Sequence, residues 1–362
     1  MKVLGMGIIF NRGRGGSALR DALRQGWQPP LSEVQEKGRS HPVYQVPTDV
    51  LQDRAVLKGM RRADRLSKMA VIAASDALAD SELTEIDRRR TGVIVATGCG
   101  AHVTTFDFLD GILDFGEAAV SPTAFSNSVH NAAASYISSA LGVQGPTLTV
   151  TQFLFSFQGA LQLAGAWLRE GSADHVLVGA VDQCGEVMAY IANAKLGIAR
   201  DGKIRPFASP STQAVPGEGA VFFLVSRNGD GRPYCEVKDV RFGVRGEVLV
   251  PAELTIFDAD GMVPDELSYA SHDAPAAAVA AYSPLWGSMM IGSAFSCAAG
   301  ALMLRDQVRY ASPVPAGSDG LNVLSETFDY SVELIQCVRY NCSAENAVIL
   351  LQKCTADRPV SP

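Results

Sequence analysis

Two long stretches of this chain contain no Asp, Glu, Lys or Arg, and they constrain the fold more than any other feature. They cover residues 118–168 and 274–304. The remainder carries every charge of the chain, at about the 25% that is usual for soluble proteins. We therefore expect a globular protein with two segments that mostly avoid water. This pattern argues against disorder and a coiled coil, and the net charge of −7 argues against a nucleic-acid-binding surface.

The uncharged stretches are not expected to cross a membrane. Prolines, asparagines and glutamines interrupt the first, and Pro284, Gly287 and Gly292 interrupt the second, so no run of about 20 strongly apolar residues remains. The amino-terminal residues lack the apolar core of a signal peptide. The seven cysteines lack CxxC spacing, which favours a reducing cytoplasm over a disulfide framework or a zinc site. We therefore predict a cytoplasmic protein without a bound metal.

Strands and helices are predicted to alternate along much of the chain. Runs of β-branched residues predict strands, and apolar residues at three- and four-residue spacing predict helices. The segment from the first strand to Ser40 contains Pro29 and Pro30 and is expected to be irregular. The order indicates an α/β protein with a parallel or mixed sheet covered on both faces. Strands are predicted at 2–7, 92–97, 147–151, 175–180, 220–226 and 346–352, and helices at 61–80, 104–115, 131–141, 156–170 and 296–310.

Three short motifs are weaker signals. Gly5 and Gly7 follow the start of a strand, but the third glycine of a dinucleotide-binding loop is absent, so a structural turn is favoured. Cys99 and His102 could suggest a catalytic pair, although a core cysteine beside a surface histidine is the more common arrangement. His130 is interpreted as a satisfied buried histidine and not as an acid–base catalyst.

The two uncharged stretches also resemble each other locally. Residues 155–161 can be set beside residues 295–302, and both segments are rich in small residues. Two explanations stay open. Helices made of small residues look alike in general, or the chain is an internal duplication in which each half contributes one buried helix to the centre.

Several motifs follow one another in the first 226 residues. They are Ile204-Arg205-Pro206-Phe207, Gly217-Glu218-Gly219-Ala220, and residues 60–68, 131–146 and 171–180. These motifs resemble those of the β-ketoacyl synthases, the condensing enzymes of fatty-acid and polyketide synthesis. The resemblance implies the thiolase fold, an α/β fold of two duplicated βαβαβ halves in five layers (α-β-α-β-α) with two helices buried between the sheets. It also implies a ketosynthase-like amino-terminal half, residues 1–226, and a shortened carboxy-terminal half, residues 227–362.

The residues that this family uses for catalysis are absent at the matching positions. The family forms an acyl thioester on a cysteine at the start of a buried helix, and two histidines assist decarboxylation and stabilise an oxyanion. Leu154 stands at the cysteine position, and a leucine cannot carry an acyl group. The histidine motifs correspond to residues 257–261 and 293–300, which contain no histidine, and residues 341–346 replace a glycine-rich loop. Gln152 lies two residues before Leu154, so we assign it no decarboxylase role.

An intact scaffold without its catalytic residues resembles the chain-length factor, the ketosynthase-like β subunit of type II polyketide synthases. The resemblance implies a subunit that is inactive alone, forms a heterodimer with a catalytic ketosynthase, works with an acyl carrier protein and sets chain length. It implies no cofactor, metal, nucleic acid or membrane. Two alternatives stay open: a divergent acyltransferase or decarboxylase with Cys184 or Cys297 as its nucleophile, and a homodimeric binding or scaffold protein.

Bulky apolar side chains are the candidates for the acyl tunnel and the partner interface. By the resemblance, the predicted helix 104–115 borders the interface, and residues 153–157 fill the former nucleophile site. The alternative is an ordinary core, because large apolar residues are usually buried. In the tunnel interpretation, the volume of these side chains limits how long an acyl chain can grow, since overpacking the tunnel wall costs about 1–3 kcal/mol. The candidates are Phe106, Phe108, Leu109, Leu113, Phe115, Phe153, Leu154, Phe155 and Phe157.

Overall fold

The structure is a computed structural model that describes residues 1–36, 38–208, 213–229, 231–244, 249–263, 269, 278–314, 320–329, 331–343 and 345–354. Its helices are α1 (Gly15–Gln25), α2 (Arg65–Asp80), α3 (His102–Phe115), α4 (Pro122–Asn127), α5 (Ala132–Leu141), α6 (Ser156–Glu170), α7 (Glu186–Lys195) and α8 (Gly292–Asp306). Across these described ranges, no helix is both long enough and apolar enough to span a membrane.

The strands of the large sheet come from both parts of the chain. They are β1 (Lys2–Phe10), β2 (Gly13–Arg14), β5 (Thr91–Ala96), β6 (Thr147–Val150), β7 (His175–Asp182), β8 (Gly219–Ser226), β9 (Cys235–Val244), β10 (Leu254–Phe257), β11 (Ala278–Ala280), β14 (Leu334–Tyr340) and β15 (Glu345–Gln352). Among the described residues, two small two-stranded sheets lie outside it. They pair β3 (Ser32–Glu36) with β4 (Arg39–Val43), and β12 (Val308–Arg309) with β13 (Phe328–Asp329).

The large sheet is built twice from the same pattern. Its first half orders the strands β6-β5-β7-β8-β1, and its second half orders them β11-β10-β14-β15-β9. In each half the first three strands are parallel, and the next two run antiparallel to their neighbours. The halves join where Lys2 and Val3 pair with Glu236 and Cys235. The repeated order shows the duplication that the local likeness of the two uncharged stretches suggested. The division between residues 226 and 227 stays a prediction.

Helices α6 and α8 occupy equivalent places in the two halves, after β6 and after β11, and they contact each other at the centre. Small residues let α8 approach the sheet closely. A Cβ atom on Gly300 would lie 2.9 Å from Cδ1 of Leu351. Because protein interiors are packed as densely as organic crystals, a larger residue there would have to displace a neighbour. Gly300 therefore serves the packing of α8 against the sheet.

The glycines near the amino terminus lie in a strand and not in a turn, so the turn prediction is wrong. Helix α2 crosses β1 so closely that a Cβ atom on Gly7 would lie 1.9 Å from the carbonyl oxygen of Ala73, and one on Gly5 would lie 2.1 Å from that of Ala77. The two glycines let α2 approach β1 this closely, because a glycine in a strand leaves room for the backbone of another element.

Burial of the two uncharged stretches differs, which corrects the expectation that both avoid water. The described part of the second stretch is almost entirely buried. In the first, Phe125, Leu148 and Phe153 are 58%, 46% and 68% exposed. Both stretches contain the last strand of their half in the described structure, β6 in the first and β11 in the second, so the strand order alone does not set this difference.

Several predicted boundaries are confirmed, and the errors have local causes. Helix α6 has the predicted bounds, and Gly171 ends it in the left-handed conformation. Helix α2 starts four residues later than predicted because Asp64 caps it by accepting the Ser67 amide hydrogen bond. Helix α8 starts and ends four residues earlier than predicted, and Gln307 ends it at φ +56°. The region before Ser40 is not irregular, since it holds α1 and the β3–β4 hairpin.

Candidate functional site

The junction between β6 and α6 is the place where the resemblance puts the nucleophile. A short 3₁₀ turn, Phe153–Phe155, links the strand to the helix, and Leu154 lies half-buried at its middle. Phe153 has φ of +47°, in the left-handed region that residues with a Cβ atom rarely adopt. Strain of this kind persists only where the surrounding structure holds it.

Ser156 holds this strained turn from the first residue of α6. Its Oγ atom donates a hydrogen bond to the carbonyl oxygen of Phe153 over 2.8 Å and accepts one from the Gln152 amide over 2.7 Å. The junction is therefore a tight backbone elbow whose central side chain, that of Leu154, has no nucleophilic atom.

The structure separates the aromatic candidates around this elbow. Phe153 is exposed, whereas Phe155 and Phe157 are buried. Phe155 meets Phe242 edge-on with ring centroids 5.8 Å apart, and Phe157 lies 5.9 Å from Phe223. Phe155 and Phe157 thus pack in the core behind the elbow, and Phe153 and Leu154 face outward from it.

Helix α3 exposes most of its apolar side chains, and none of its residues is fully buried. Leu113 and Phe115 are 81% and 75% exposed, and Phe106 and Leu109 are nearly half exposed. Phe108 is half-buried against Phe125 of α4, with ring centroids 5.7 Å apart. A group of exposed apolar side chains of this kind often marks a surface that binds another molecule.

A second exposed apolar group lies along β6 and its flanking segments. We define the apolar edge as the side chains of Phe125, Val129, Leu148 and Phe153, each at least 41% exposed. No Asp, Glu, Lys or Arg occurs between residues 118 and 168, so β6 and the segments that carry the apolar edge contribute no such charge to it. Natural proteins usually protect such a strand with charge, proline or a covering element.

A buried charged network lies where the resemblance puts the two histidine motifs. Asp258 and Asp260 follow β10, and Arg339 lies near the end of β14; their side chains are at most 3% exposed. One Arg339 nitrogen donates to Asp258 over 3.2 Å and to Asp260 over 2.7 Å. Ser293 and Ser296 of α8 each donate a hydroxyl hydrogen bond to Asp258 over 2.6 Å.

The protonation preferences of this network follow from burial and mutual attraction. Burial raises the pKa of Asp258, and the Arg339 guanidinium opposes that rise. Burial would lower the pKa of Arg339, but Asp260 and Asp258 outweigh it and raise the pKa. The network therefore consists of ion-paired charges held by hydroxyl hydrogen bonds. Gln158 extends the network to α6, because its amide donates to Ser293 Oγ over 2.8 Å.

The two thiols considered as alternative nucleophiles lie in environments that suppress the thiolate. Burial raises the pKa of Cys184 to about 12, with a further contribution from Glu218. Burial also raises the pKa of Cys297 well above its ordinary value. Because the thiolate is the reactive form of cysteine, neither site is prepared for acyl transfer at neutral pH.

Cys99 and His102 line a mostly apolar cavity of about 70 Å³ but do not form a catalytic pair. The Cys99 thiol donates to the Met290 sulfur over 3.7 Å, and burial raises its pKa to about 11. Burial lowers the pKa of His102. His130 is exposed, so its interpretation as a buried histidine is wrong. Among the residues that the structure covers, no group of three or more His, Cys, Asp or Glu is placed to hold a metal.

Comparison with known proteins identifies the family. The model of the β-ketoacyl synthase amino-terminal domain matches residues 2–230. The chain belongs to the β-ketoacyl synthase family. A putative β-ketoacyl synthase 1 of oxytetracycline polyketide synthesis from Streptomyces rimosus is 29% identical over 196 residues, 49% of this chain and 46% of that protein. The chloroplastic 3-oxoacyl-[acyl-carrier-protein] synthase I of Arabidopsis thaliana is 25% identical over 130 residues, 34% of this chain.

Solved structures confirm the thiolase-like fold over nearly the whole chain. The ishigamide ketosynthase/chain length factor superposes with a TM-score of 0.81 at 18% identity, covering 98% of this chain and 99% of that one. A type II PKS acyl-carrier protein in complex with its ketosynthase bound to the hexaketide gives 0.79 at 16% identity, with the same coverage. By sequence, the chain matches 46% and 28% of the length of the two curated relatives above.

The ion pairs of Asp258 and Asp260 with Arg339 are not predicted by the sequence motifs. One signal was available. Arg339 interrupts an otherwise uncharged run, Leu334–Tyr340, and a charge inside a buried strand requires a partner of opposite sign.

Proposed function

We propose that this chain is a non-catalytic ketosynthase-like subunit of the chain-length-factor type. It pairs with an active β-ketoacyl-acyl-carrier-protein synthase in type II polyketide, polyene or fatty-acid-like synthesis. The observation that carries the proposal is the tight elbow before α6, where the resemblance puts the family's cysteine and this chain has Leu154. Asp258 and Asp260, in the segment that the resemblance matches to the first histidine motif, are ion-paired with Arg339 and support it, because paired buried charges are poor acid–base catalysts at neutral pH.

The partner interface is proposed to include the apolar edge and the exposed face of α3. An uncharged sheet edge beside exposed aromatic side chains invites association, so an isolated chain would be prone to self-association. A catalytic ketosynthase with a matching surface would cover these side chains in a heterodimer. One solved neighbour carries the description ketosynthase/chain length factor, which fits this choice of partner. We place the complex in the cytoplasm, without membrane or nucleic-acid partners.

The proposed tunnel wall consists of Phe153, Leu154 and the exposed residues of α3. We expect Phe106→Ala or Leu113→Ala to let the partner make longer products. The ratio of longer to shorter products should rise about ten-fold, because each methylene in an apolar pocket is worth ~1–3 kcal/mol. Mass spectrometry of products from the reconstituted heterodimer measures this ratio. Asp110→Ala, an exposed residue of the same helix, is the control. Unchanged products for both apolar variants would remove α3 from the tunnel.

An acyl carrier protein is proposed to dock beside the start of α2. Arg54, Lys58, Arg61 and Arg62 are exposed there, in a chain of net charge −7. Within the described structure none of the four forms an ion pair. Such a patch suits a partner with acidic surface residues, since complementary charges steer association. One solved neighbour contains an acyl-carrier protein with its ketosynthase.

The Arg61→Glu/Arg62→Glu double variant is expected to weaken carrier-protein binding to the heterodimer about ten-fold, because attraction becomes repulsion and each exposed pair is worth ~0.2–1 kcal/mol. Fluorescence anisotropy of labelled carrier protein measures the affinity, and the difference should shrink with added salt. Arg89→Glu, at another exposed arginine, is the control. Equal binding by both variants would place the docking site elsewhere.

The decisive test of the missing chemistry is intact-mass analysis. The isolated chain and the reconstituted heterodimer are each incubated with acyl- and malonyl-loaded carrier protein. We expect an acyl adduct on the partner and none on this chain. An adduct on this chain alone would overturn the proposal and return attention to Cys184 and Cys297. A stable homodimer with no affinity for any ketosynthase would instead favour the scaffold alternative.

A further inference from the structure

The buried network described above reaches the elbow through one side chain, that of Gln158. Its amide nitrogen donates to Ser293 Oγ, and the same hydroxyl donates to Asp258. A serine hydroxyl has one hydrogen to give. Because that hydrogen goes to Asp258, Ser293 must accept from Gln158. The three groups therefore form a directional relay from amide to hydroxyl to carboxylate.

The relay connects the two halves of the fold at a defined point. Gln158 lies in the first turn of α6, Ser293 in the first turn of α8, and Asp258 just after β10. All three are at most 3% exposed. Arg339 and Ser296 also donate hydrogen bonds to the Asp258 carboxylate and hold it in place. The start of α6 is thus tied to a carboxylate that cannot move without breaking several buried hydrogen bonds.

The start of α6 carries the strained elbow. Ser156 holds the Phe153 carbonyl and the Gln152 amide locally, but Ser156 is fixed only as well as the helix turn that contains it. Gln158, two residues further on, anchors that same turn to the opposite half. A phenylalanine in the left-handed region needs such external support, because residues with a Cβ atom are strained there.

A glutamine at position 158 costs more free energy than a residue that only fills space would. Its Oε1 atom is buried and has no hydrogen-bond partner in the described structure. An unsatisfied buried polar atom costs free energy that an apolar side chain of the same size would avoid. A leucine or methionine would therefore pack there at lower cost, unless the hydrogen bond to Ser293 has a directional role.

We propose that Gln158 is a positioning residue: through Ser293 and Asp258 it fixes the orientation of the elbow, Phe153–Phe155, and so of the wall that this elbow presents to the partner's acyl chain. The part about the acyl chain rests on the proposed function. The part about the elbow does not, because it concerns this chain alone.

The chain offers a closely matched control for Gln158. Gln336 is a second buried glutamine whose amide makes one hydrogen bond, to Thr255 over 2.9 Å, and whose Oε1 is also without a partner in the described structure. It lies on β14 and does not contact α6 through that bond. Gln158→Met and Gln336→Met therefore remove the same kind of interaction at nearly constant volume. Ser293→Ala and Ser296→Ala form a second pair, since each removes a 2.6 Å bond to Asp258.

The test is hydrogen exchange of the peptide that covers the elbow, measured by mass spectrometry on the full chain. The Gln152 and Phe155 amides are hydrogen-bonded within the elbow and report on its order. We expect Gln158→Met and Ser293→Ala to accelerate their exchange at least ten-fold, and Gln336→Met and Ser296→Ala to change it less than two-fold. Equal exchange within each matched pair would overturn the positioning role, and the serine pair decides if Gln158→Met fails to fold.

Product analysis of the heterodimer separates this inference from the proposed function. We expect Gln158→Met to change the ratio of long to short products at least two-fold, while Gln336→Met leaves it unchanged. Accelerated exchange with unchanged products would support the positioning of the elbow and contradict its place in the acyl tunnel. Unchanged exchange with altered products would contradict the positioning role and leave the proposed function standing.

Discussion

Replacing Arg339 with alanine is expected to lower the free energy of unfolding by about 3–5 kcal/mol, because the change leaves two buried carboxylates without their cation. Asp258 and Asp260 both bind the same guanidinium nitrogen, and solvent does not reach any of the three side chains. Since native proteins are stable by only about 5–15 kcal/mol, a loss of this size would remove a large fraction of the stability. Urea unfolding followed by tryptophan fluorescence measures the effect.

The loss should depend on pH in a defined direction. Burial already raises the pKa of Asp258, and Arg339 is the group that holds it down. Without Arg339 the folded-state pKa lies further above the unfolded value, so the folded variant takes up a proton as pH falls. The destabilisation should therefore be larger at pH 8 than at pH 5. Arg241→Ala, which breaks an exposed pair with Asp239, should cost no more than about 1 kcal/mol. Equal losses for the two arginines would contradict the buried-charge account.

Much of the fold could be predicted because its elements carry local signals. The β-branched strand β5 and the helix α6, which ends at a left-handed glycine, were recognisable from their own residues. Helix α1 was not, because Pro29 and Pro30 made its neighbourhood look irregular, and its buried residues are only Leu19, Ala22 and Leu23. The glycines of β1 were misread because their role depends on α2, some seventy residues away.

From the sequence, the candidate site could be predicted only through a residue that is missing. Leu154 stands where the resemblance puts a cysteine, and that difference can be seen in the sequence alone. The relay joins Gln158 to Ser293, 135 residues away along the chain, and Ser293 to Asp258, 35 residues away, and no local pattern links them. The exposure of Phe153 and burial of Phe155 likewise depend on a left-handed backbone that phenylalanine does not predict.

Replacing Leu148 with aspartate is expected to weaken binding of the ketosynthase partner at least 100-fold. Leu148 lies on β6 and is 46% exposed in the single chain, so an aspartate there remains solvated until the partner covers the edge. Burying the charge on association costs several kcal/mol, and each 1.4 kcal/mol weakens binding ten-fold. Aspartate is too short to reach solvent from a covered edge, as a lysine could. Co-purification followed by analytical ultracentrifugation measures the loss.

Two controls distinguish an interface effect from damage to the strand. Leu148→Thr places a β-branched residue without a charge on the strand and should weaken binding far less than the aspartate. Leu31→Asp introduces the same charge at a side chain that is 98% exposed and lies outside the large sheet, so it should leave partner binding unchanged. If Leu148→Asp folds with an unaltered unfolding midpoint and still binds the ketosynthase normally, the apolar edge is not the interface. The lack of charge between residues 118 and 168 would then reflect packing requirements within this chain alone.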